Sequence, residues 1–301
     1  MKFKDLVASS ISLVALAVAV ALFAAPASVA QSVYVVNGNN QFGVVNLSSG
    51  AFHGIGAAEP EPQASLVWGP NGSLFTVGTV SGNLESINPT TGATSTVGSF
   101  GLPFFPTGIS TAFDLAGVNG KLYLTDFSNN LYSVNPNTGA ANLIGATGMP
   151  PDPHIPFTTN PDGTLNLCDE ILYGVGNKLY ATFDSVTFNP VSGTIASVVV
   201  PPDLWSINPS TGRATLVGAT TLGLDGGVEV NGNFYAFYLP DTTSQLVQLD
   251  LANGNTTPLI NIDPAAGLIF GAAPTPEPGT FLMLGAGLLT MAGFLRKRLH
   301  N

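Results

Sequence analysis

The sequence contains the stretch Leu131-Tyr-Ser-Val-Asn-Pro-Asn-Thr-Gly-Ala-Ala-Asn-Leu-Ile-Gly145. It recurs as Leu84-Glu-Ser-Ile-Asn-Pro-Thr-Thr-Gly-Ala-Thr-Ser-Thr-Val-Gly98 and as Leu204-Trp-Ser-Ile-Asn-Pro-Ser-Thr-Gly-Arg-Ala-Thr-Leu-Val-Gly218. Two weaker copies begin at Phe42 and at Leu246. Each copy consists of an extended segment, a tight turn and a second extended segment. Five copies of one such unit predict a repeat architecture.

The repeat unit also includes two strands upstream of this stretch. Each copy follows a short apolar segment whose second residue is aromatic: Val33-Tyr34, Leu74-Phe75, Leu122-Tyr123, Leu179-Tyr180 and Phe234-Tyr235. Four of these segments follow a Gly/Asn pair, which suits a two-residue hairpin turn and adds one further strand. The turn glycines at 50, 92, 139, 212 and 254 are 42, 47, 73 and 42 residues apart. Four antiparallel strands repeated at about 40–50 residues are typical of a β-propeller.

The chain ends supply the missing strand of one blade. The chain opens on a second-strand segment at Val33 and finishes on a first-strand segment near Gly267–Ala272. We therefore predict an all-β, five-bladed β-propeller of four-stranded antiparallel sheets, closed by pairing a strand near 268–272 with a strand near 33–36. The interval of 73 residues is predicted to carry two insertions, at 149–170 and 184–202.

The composition argues against a nucleic-acid partner and against an internal disulfide. Charged residues make up 9 % of the chain, and residues 31–276 hold sixteen acidic residues against Lys121, Lys178 and Arg213, a net charge of −13. Nucleic acid would repel such a body. A single cysteine, Cys168, permits no internal disulfide, so the fold must close by strand pairing.

The two chain ends differ from the body. Residues 1–30 have the basic start, apolar run and small-residue end of a secretory signal peptide; an uncleaved membrane anchor is the alternative. We assign 31–273 to the propeller and 274–279 to a proline-rich spacer. Residues 280–301 are assigned to a short hydrophobic, membrane-spanning helix followed by a basic tail.

The C-terminal segment resembles the PEP-CTERM protein-sorting signal of exopolysaccharide-producing Gram-negative bacteria. The resemblance rests on Pro276-Glu277-Pro278, on a short apolar run with Gly285 and Gly287, and on Arg296-Lys297-Arg298. It implies processing by an exosortase-type enzyme, a transient stay in the inner membrane, and transit to the cell envelope, outer surface or extracellular matrix. It covers only about 26 residues, so it implies nothing about the ligand of the propeller.

The candidate site lies on the face that carries both insertions. The Asn-Pro-x-Thr-Gly turns are predicted on the other face, where they are either structural or a ring of ligand-binding asparagines. His53 is predicted on an outer strand at the surface. No catalytic residue is assigned. The candidate ligand or metal residues are Asp126, His154, Asp162, Asp169, Glu170, Asp184 and Asp241.

Three interpretations of these acidic residues stay open: solvated loop acids, a Ca²⁺ site, and paired carboxylates for glycoside cleavage. No cofactor other than Ca²⁺ is expected. The preferred function is a non-enzymatic, exported binding or scaffold module for an exopolysaccharide or an envelope protein. A secreted carbohydrate-active or lyase-type propeller enzyme is the alternative, and a passive adhesion module is a third.

Overall fold

The structure is a computed structural model that describes residues 32–276, apart from 106–107, 109, 151–157, 190–193, 222 and 239–242. The described residues form twenty β-strands and two short 3-10 turns, Pro70–Gly72 and Pro264–Ala266. The strands are β1 (Ser32–Asn37), β2 (Phe42–Asn46), β3 (Phe52–Gly54), β4 (Gln63–Trp68), β5 (Leu74–Gly78), β6 (Asn83–Ile87), β7 (Thr94–Ser99), β8 (Ala112–Val118), β9 (Lys121–Asp126), β10 (Asn130–Val134), β11 (Ala141–Ala146), β12 (Leu165–Val175), β13 (Lys178–Asn189), β14 (Thr194–Ile207), β15 (Ala214–Ala219), β16 (Leu224–Val230), β17 (Asn233–Tyr238), β18 (Gln245–Leu249), β19 (Thr256–Asn261) and β20 (Ile269–Pro274).

These strands form five antiparallel sheets of four strands each, so the predicted five-bladed propeller is confirmed. Blade 1 consists of β20, β1, β2 and β3, in that order from the axis outwards. Blades 2 to 5 are β4–β7, β8–β11, β12–β15 and β16–β19. The signal peptide, most of the sorting motif and the C-terminal hydrophobic helix of the sequence prediction lie outside the described residues.

Blade 1 is built from both ends of the propeller, as predicted. β20 pairs with β1 in antiparallel register, with Val33 opposite Pro274, Tyr34 opposite Ala273 and Val35 opposite Ala272. This strand pairing closes the ring without a covalent link.

The core lies between neighbouring blades rather than inside one sheet. On β10, Leu131 packs with Leu172 and Leu179 of blade 4. Val134, three residues later, packs with Val77 and Leu84 of blade 2. Each blade is therefore covered on both faces, which is why the apolar residues of its strands do not alternate cleanly.

The repeated turn is stabilised by its own asparagine. The Asn135 side-chain oxygen accepts a hydrogen bond from the N–H of Asn137 at 2.9 Å, and the N–H of Gly139 donates to the Asn135 carbonyl at 2.9 Å. Asn88 and Asn208 make the same pair of bonds in blades 2 and 4. The side-chain oxygen serves the turn itself, which supports the structural interpretation of Asn-Pro-x-Thr-Gly.

The turn glycine also sets the distance between blades. Gly139 has φ +76°, and a Cβ placed on it would overlap the carbonyl oxygen of Gly98 on the outer strand of blade 2. Gly98 is the last residue of the repeated stretch in that blade, so one copy of the stretch packs against the next. The corresponding contacts around the ring are Gly92 on Ile55, Gly212 on Gly145, Gly254 on Ala219 and Gly50 on Asn261.

Blade 4 has longer strands than its neighbours. β12, β13 and β14 contain 11, 12 and 14 residues, against 7, 6 and 5 for the equivalent strands of blade 3. The prediction that 149–170 and 184–202 are insertions between strands is therefore corrected in part. Residues 165–170, 184–189 and 194–202 extend the strands themselves, because continued ladder pairing satisfies their backbone groups.

The outermost strands present unpaired edges but are irregular. On β11, Ile144 is an extra residue, since Leu131 pairs with Gly145 while Tyr132 pairs with Leu143. The outer strands of blades 2, 4 and 5 carry a bulge at the same place. Bulges on an edge strand discourage pairing with another chain.

We predict that Gly139→Ala destabilises the fold more than Gly120→Ala. Both glycines have positive φ, +76° and +68°, but a Cβ on Gly120 meets nothing within 4 Å. Alanine in this conformation costs about 1–2 kcal/mol at either position, and the overlap with Gly98 adds about 1–3 kcal/mol only at Gly139. Denaturant unfolding of both variants measures the difference, and equal losses would contradict the close approach as a determinant of stability.

Candidate functional site

Strand direction divides the ends of the blades into two faces. Because neighbouring strands are antiparallel, connections between first and second strands and between third and fourth strands lie at the same end. We call this end the turn face; it carries the Asn-Pro-x-Thr-Gly turns. The other end, the loop face, carries the connections 38–41, 55–62, 79–82, 127–129 and 262–268, the described parts of 100–111, 147–164 and 220–223, and the extended strands of blade 4.

Asp126 lies on the loop face as predicted, but its carboxylate holds a turn. It is 5 % exposed. Its Oδ1 accepts from the N–H groups of Ser128 and Asn130 at 3.0 and 2.9 Å. Its Oδ2 accepts from Asn130 Nδ2 at 3.1 Å and from the Tyr132 hydroxyl at 2.8 Å. Burial, and then the hydrogen bond to Asp126, raise the pKa of Tyr132 to about 12.

Asp162 is exposed and also serves its own turn. Its Oδ1 accepts from the N–H of Thr164 at 3.0 Å and from the Thr164 hydroxyl at 2.7 Å. These hydrogen bonds lower the pKa of Asp162. A carboxylate held in this way acts first as a turn residue.

The remaining predicted acids divide into two groups. Asp169, Glu170 and Asp184 lie within β12 and β13 rather than in loops, and Asp169 is opposite Asp184 in the register. Asp184 is 7 % exposed, whereas the side chains of Asp169 and Glu170 are outside what the structure describes. His154 and Asp241 lie outside the described residues altogether.

Among the residues that the structure describes, no three His, Cys, Asp or Glu side chains come together as a metal site. The Ca²⁺ site thus stays a prediction. His53 is exposed on β3, as expected from its place in the repeat.

An acid that the sequence did not single out connects three blades near the axis. Asp114 on β8 is 4 % exposed. Its Oδ1 accepts from the Ser65 hydroxyl of blade 2, and its Oδ2 accepts from the N–H of Leu172 in blade 4 at 2.5 Å. Ser65 has φ +63°, unusual for a residue other than glycine. No local pattern announces this role, since the two partners lie 49 and 58 residues away.

Aromatic side chains gather on the loop face of blades 2 and 3. The Phe127 ring lies 4.1 Å from that of Phe113 and 5.3 Å from that of Phe105, between ring centres. Phe104 is 50 % exposed, and a Cβ on Gly82 would lie 3.1 Å from its ring. We call Phe104, Phe105, Phe113 and Phe127 the aromatic patch.

The segment that carries this patch is fixed to the adjacent connection of blade 2. The N–H of Phe100 donates to the Gly82 carbonyl at 3.1 Å, and the N–H of Ser110 donates to the Thr79 carbonyl at 3.1 Å. Val80, between those two acceptors, is 49 % exposed. Phe100 and Ser110, on either side of Phe104 and Phe105, are therefore both bonded to the connection 79–82.

Three glutamates meet where blade 1 joins blade 2. Glu61 accepts from the N–H groups of Val80 and Ser81 at 3.0 and 2.8 Å. Glu59 accepts from the N–H and hydroxyl of Thr94 at 3.2 and 2.8 Å. Glu85 on β6 is 7 % exposed, and Gln63 Nε2 donates to it at 3.2 Å.

Burial, and then repulsion from Glu61, raise the pKa of Glu85 to about 7. A weaker repulsion from Glu59 acts in the same direction, and the bond from Gln63 opposes it. The group therefore changes charge near neutral pH.

The turn face carries a groove of about 520 Å³ at blade 5. Its floor includes Phe234 and Leu249, and its polar rim includes Glu229, Asn233 and Asp250. The Asp250 carboxylate is bonded to the N–H of Ala252 and to Asn253 Nδ2.

Within the described ranges, no helix is long and apolar enough to cross a membrane.

Residues 274–298 match the PEP-CTERM protein-sorting motif. The chain is therefore a five-bladed, all-β propeller with a PEP-CTERM sorting motif at its C-terminal end. That motif implies export, envelope-directed sorting and processing by an exosortase.

The propeller is similar in fold to solved structures of distant sequence. A chain of a nidogen/laminin complex has a TM-score of 0.46 and 9 % identity, covering 80 % of this chain and 97 % of that chain. Virginiamycin B lyase from Staphylococcus aureus gives 0.40 and 14 %, covering 76 % and 66 %. A streptogramin B lyase gives 0.37 and 12 %, covering 79 % and 64 %. Such likeness carries no argument about ligand or reaction, and no curated protein matches the chain.

We predict that stability falls as the pH rises through the pKa of Glu85. The folded state keeps the Glu85 proton up to a pKa of about 7, against 4.5 for the ordinary group. The folded chain thus binds more protons than the unfolded chain between these values, and the free energy of unfolding decreases as the pH rises from about 4.5 to about 7. Burial also raises the pKa of Asp203 above its ordinary value of 3.8, which acts in the same direction.

Denaturant unfolding between pH 5 and pH 8 measures this slope. Glu85→Gln should flatten it, because the amide carries no proton equilibrium. Glu229→Gln, on the exposed turn face, should leave it as in the unaltered chain. An unchanged slope in Glu85→Gln would assign the effect to other groups.

Proposed function

We propose that this chain is an exported, non-enzymatic binding module whose loop face holds a glycan or a protein at the cell envelope or in the extracellular matrix. It is made with a cleaved signal peptide at 1–30 and passes through the inner membrane of a Gram-negative bacterium on its C-terminal segment. The observation that carries the binding role is the aromatic patch. Phe104 is exposed and the other three rings of the patch are half-buried, and aromatic side chains supply a large contact area at a small entropic cost.

The chemistry of the loop face limits the ligand. Asp126, Asp162, Glu59 and Glu61 have their carboxylates in hydrogen bonds that hold turns or loops. Their negative charge still disfavours polyanions. A neutral glycan, whose ring faces stack on aromatic side chains, or a neutral or basic protein surface fits this combination best.

One observation favours the enzymatic alternative, a carbohydrate-active or lyase-type propeller. Asp169 and Asp184 are opposite each other on β12 and β13, and paired acids are the usual catalytic groups of glycoside cleavage. Both candidate functions use the loop face, so one set of variants separates them.

The binding role is tested by Phe104→Ser on a glycan array and on an extract of envelope proteins. We expect at least a tenfold loss of affinity, equal to about 1.4 kcal/mol. Leu143→Ser is the matched control, because Leu143 is 63 % exposed on an outer strand. Equal binding by Phe104→Ser and Leu143→Ser would contradict the patch as the binding surface. Product formed from a bound glycan, and abolished by Asp184→Asn, would instead establish the enzyme.

The sorting role is tested by replacing Pro276, Glu277 and Pro278 with alanine. The tail should then stay attached, and the protein should accumulate in the inner membrane at its unprocessed mass. Immunoblotting of membrane and extracellular fractions measures both. Replacement of Thr280 by alanine, two residues past the Pro276-Glu277-Pro278 tripeptide, should leave processing intact. Normal processing of the triple variant would contradict recognition of the motif.

A further inference from the structure

The groove at blade 5 is lined by residues that depart from the repeat. Asp250 begins the turn of this blade, since the N–H of Gly254 donates to its carbonyl at 2.8 Å, and blades 2, 3 and 4 have asparagine at this position. Gln248 pairs with Tyr235, and the residues in the same pairing position of blades 2, 3 and 4 are serines. These two departures place a carboxylate and a longer polar side chain in one groove.

A third departure widens the space between blades 4 and 5. Gly174 on β12 is packed so closely that a Cβ on it would lie 2.0 Å from the carbonyl oxygen of Gly117 on β8. Glu229 takes the position of both glycines in the ladder of β16 and β17. Because Glu229 has a Cβ, β16 cannot approach β12 here as closely as β12 approaches β8. Val175 of β12 and Glu229 both line the groove, so the groove opens at this wider spacing.

The groove combines apolar walls with negative charge. Val175 and Leu251 are half-buried in its lining, and Glu229 is exposed. Ionised carboxylates have about four acceptor positions, so Asp250 can accept further hydrogen bonds beside those of its own turn. No basic side chain is among the described residues that line the groove. Lys178, which pairs with Val175 at the start of β13, is outside this lining, so negative charge is in excess at the groove.

An arginine side chain matches this combination. Its methylene groups can cover apolar surface while the guanidinium stays at the polar rim, where it can donate two parallel hydrogen bonds to a carboxylate. An uncharged segment would cover the two carboxylates without replacing the hydrogen bonds they make to water. The net negative charge of residues 31–276 attracts a basic segment and repels an acidic one.

We propose that the groove at blade 5 binds an arginine-bearing segment of a partner protein. The arginine stems lie against Val175 and Leu251, and the guanidinium groups bind the carboxylates of Glu229 and Asp250. The groove lies on the turn face and the aromatic patch on the loop face. The inference therefore goes beyond the proposed binding function and does not rest on it.

The test measures binding of a fluorescein-labelled peptide, Ala-Leu-Arg-Leu-Arg-Ala, to the full chain in a neutral detergent by fluorescence anisotropy. The same peptide with glutamine in place of both arginines is the ligand control. We expect the arginine peptide to bind and the glutamine peptide to bind at least about tenfold more weakly, because the interfacial charges then have no counterpart. Equal binding of the two peptides, or no binding of the arginine peptide at about 1 mM, would overturn the proposal.

Two conservative variants locate the binding. Glu229→Gln and Asp250→Asn should each raise the Kd by about threefold, the effect of one exposed ion pair. Asp250→Asn restores the residue of blades 2, 3 and 4, so the turn keeps its acceptor. Asp162→Asn removes one negative charge from an exposed position on the loop face and should leave the Kd unchanged. Equal Kd values for Glu229→Gln, Asp250→Asn and Asp162→Asn would contradict binding in the groove.

A charge-reversal variant provides the strongest test. Asn255→Arg places a cation in the lining of the groove and reproduces Arg213, the residue at the same position of blade 4, because Asp250 N–H bonds to Asn255 as Asn208 N–H bonds to Arg213. Blade 4 accommodates arginine there, so we expect the fold to be kept and the Kd to rise at least about tenfold. A folded Asn255→Arg chain with unchanged Kd would overturn the proposal. None of these measurements involves the aromatic patch, so their failure leaves the loop-face binding role to its own test.

Discussion

The ring depends on the contact between each repeated turn and the outer strand of the preceding blade. With one cysteine in the chain, no internal disulfide holds the blades, and their spacing must come from packing and strand pairing. Glycine at position 139 does two things there. It takes up the positive φ that ends the turn, and it leaves room for the backbone of Gly98. A side chain at either position would force two blades apart. The same glycines therefore determine both the shape of the turn and the spacing of the blades around the ring.

This double role explains why so much of the architecture could be predicted from the sequence. A turn that must satisfy both local geometry and the neighbouring blade repeats with few changes, and its spacing gives the blade count. Closure of blade 1 was equally predictable, because β1 and β20 are each short of a partner within the linear order. The extended strands of blade 4 were not: their irregular register, with shifts around Ser185 and Thr187, has no counterpart in the repeat.

The candidate site was less predictable, since acid side chains take their roles from distant partners. Asp126 looked like a ligand-binding acid, yet its carboxylate is an acceptor for Asn130 and Tyr132. Asp114 attracted no notice within an apolar strand, although it joins three blades. Glu85 shows the same limit, because its pKa is raised by its burial and then by Glu61, which belongs to the connection before its blade. In each case the sequence shows the acidic residue but not the other residues that determine its role.

The segment that closes the ring also begins the sorting motif, and this adjacency limits where the chain can be cut. β20 ends at Pro274, and Pro274 is also the first residue of the segment that matches the sorting motif. Cleavage after Pro278 would leave every β1–β20 pair and the bond from Trp68 in place. Cleavage before Ile269 would remove the inner strand of blade 1 and open the ring. A processing enzyme that releases a folded propeller must therefore act after Pro274, so that the inner strand of blade 1 stays with the ring.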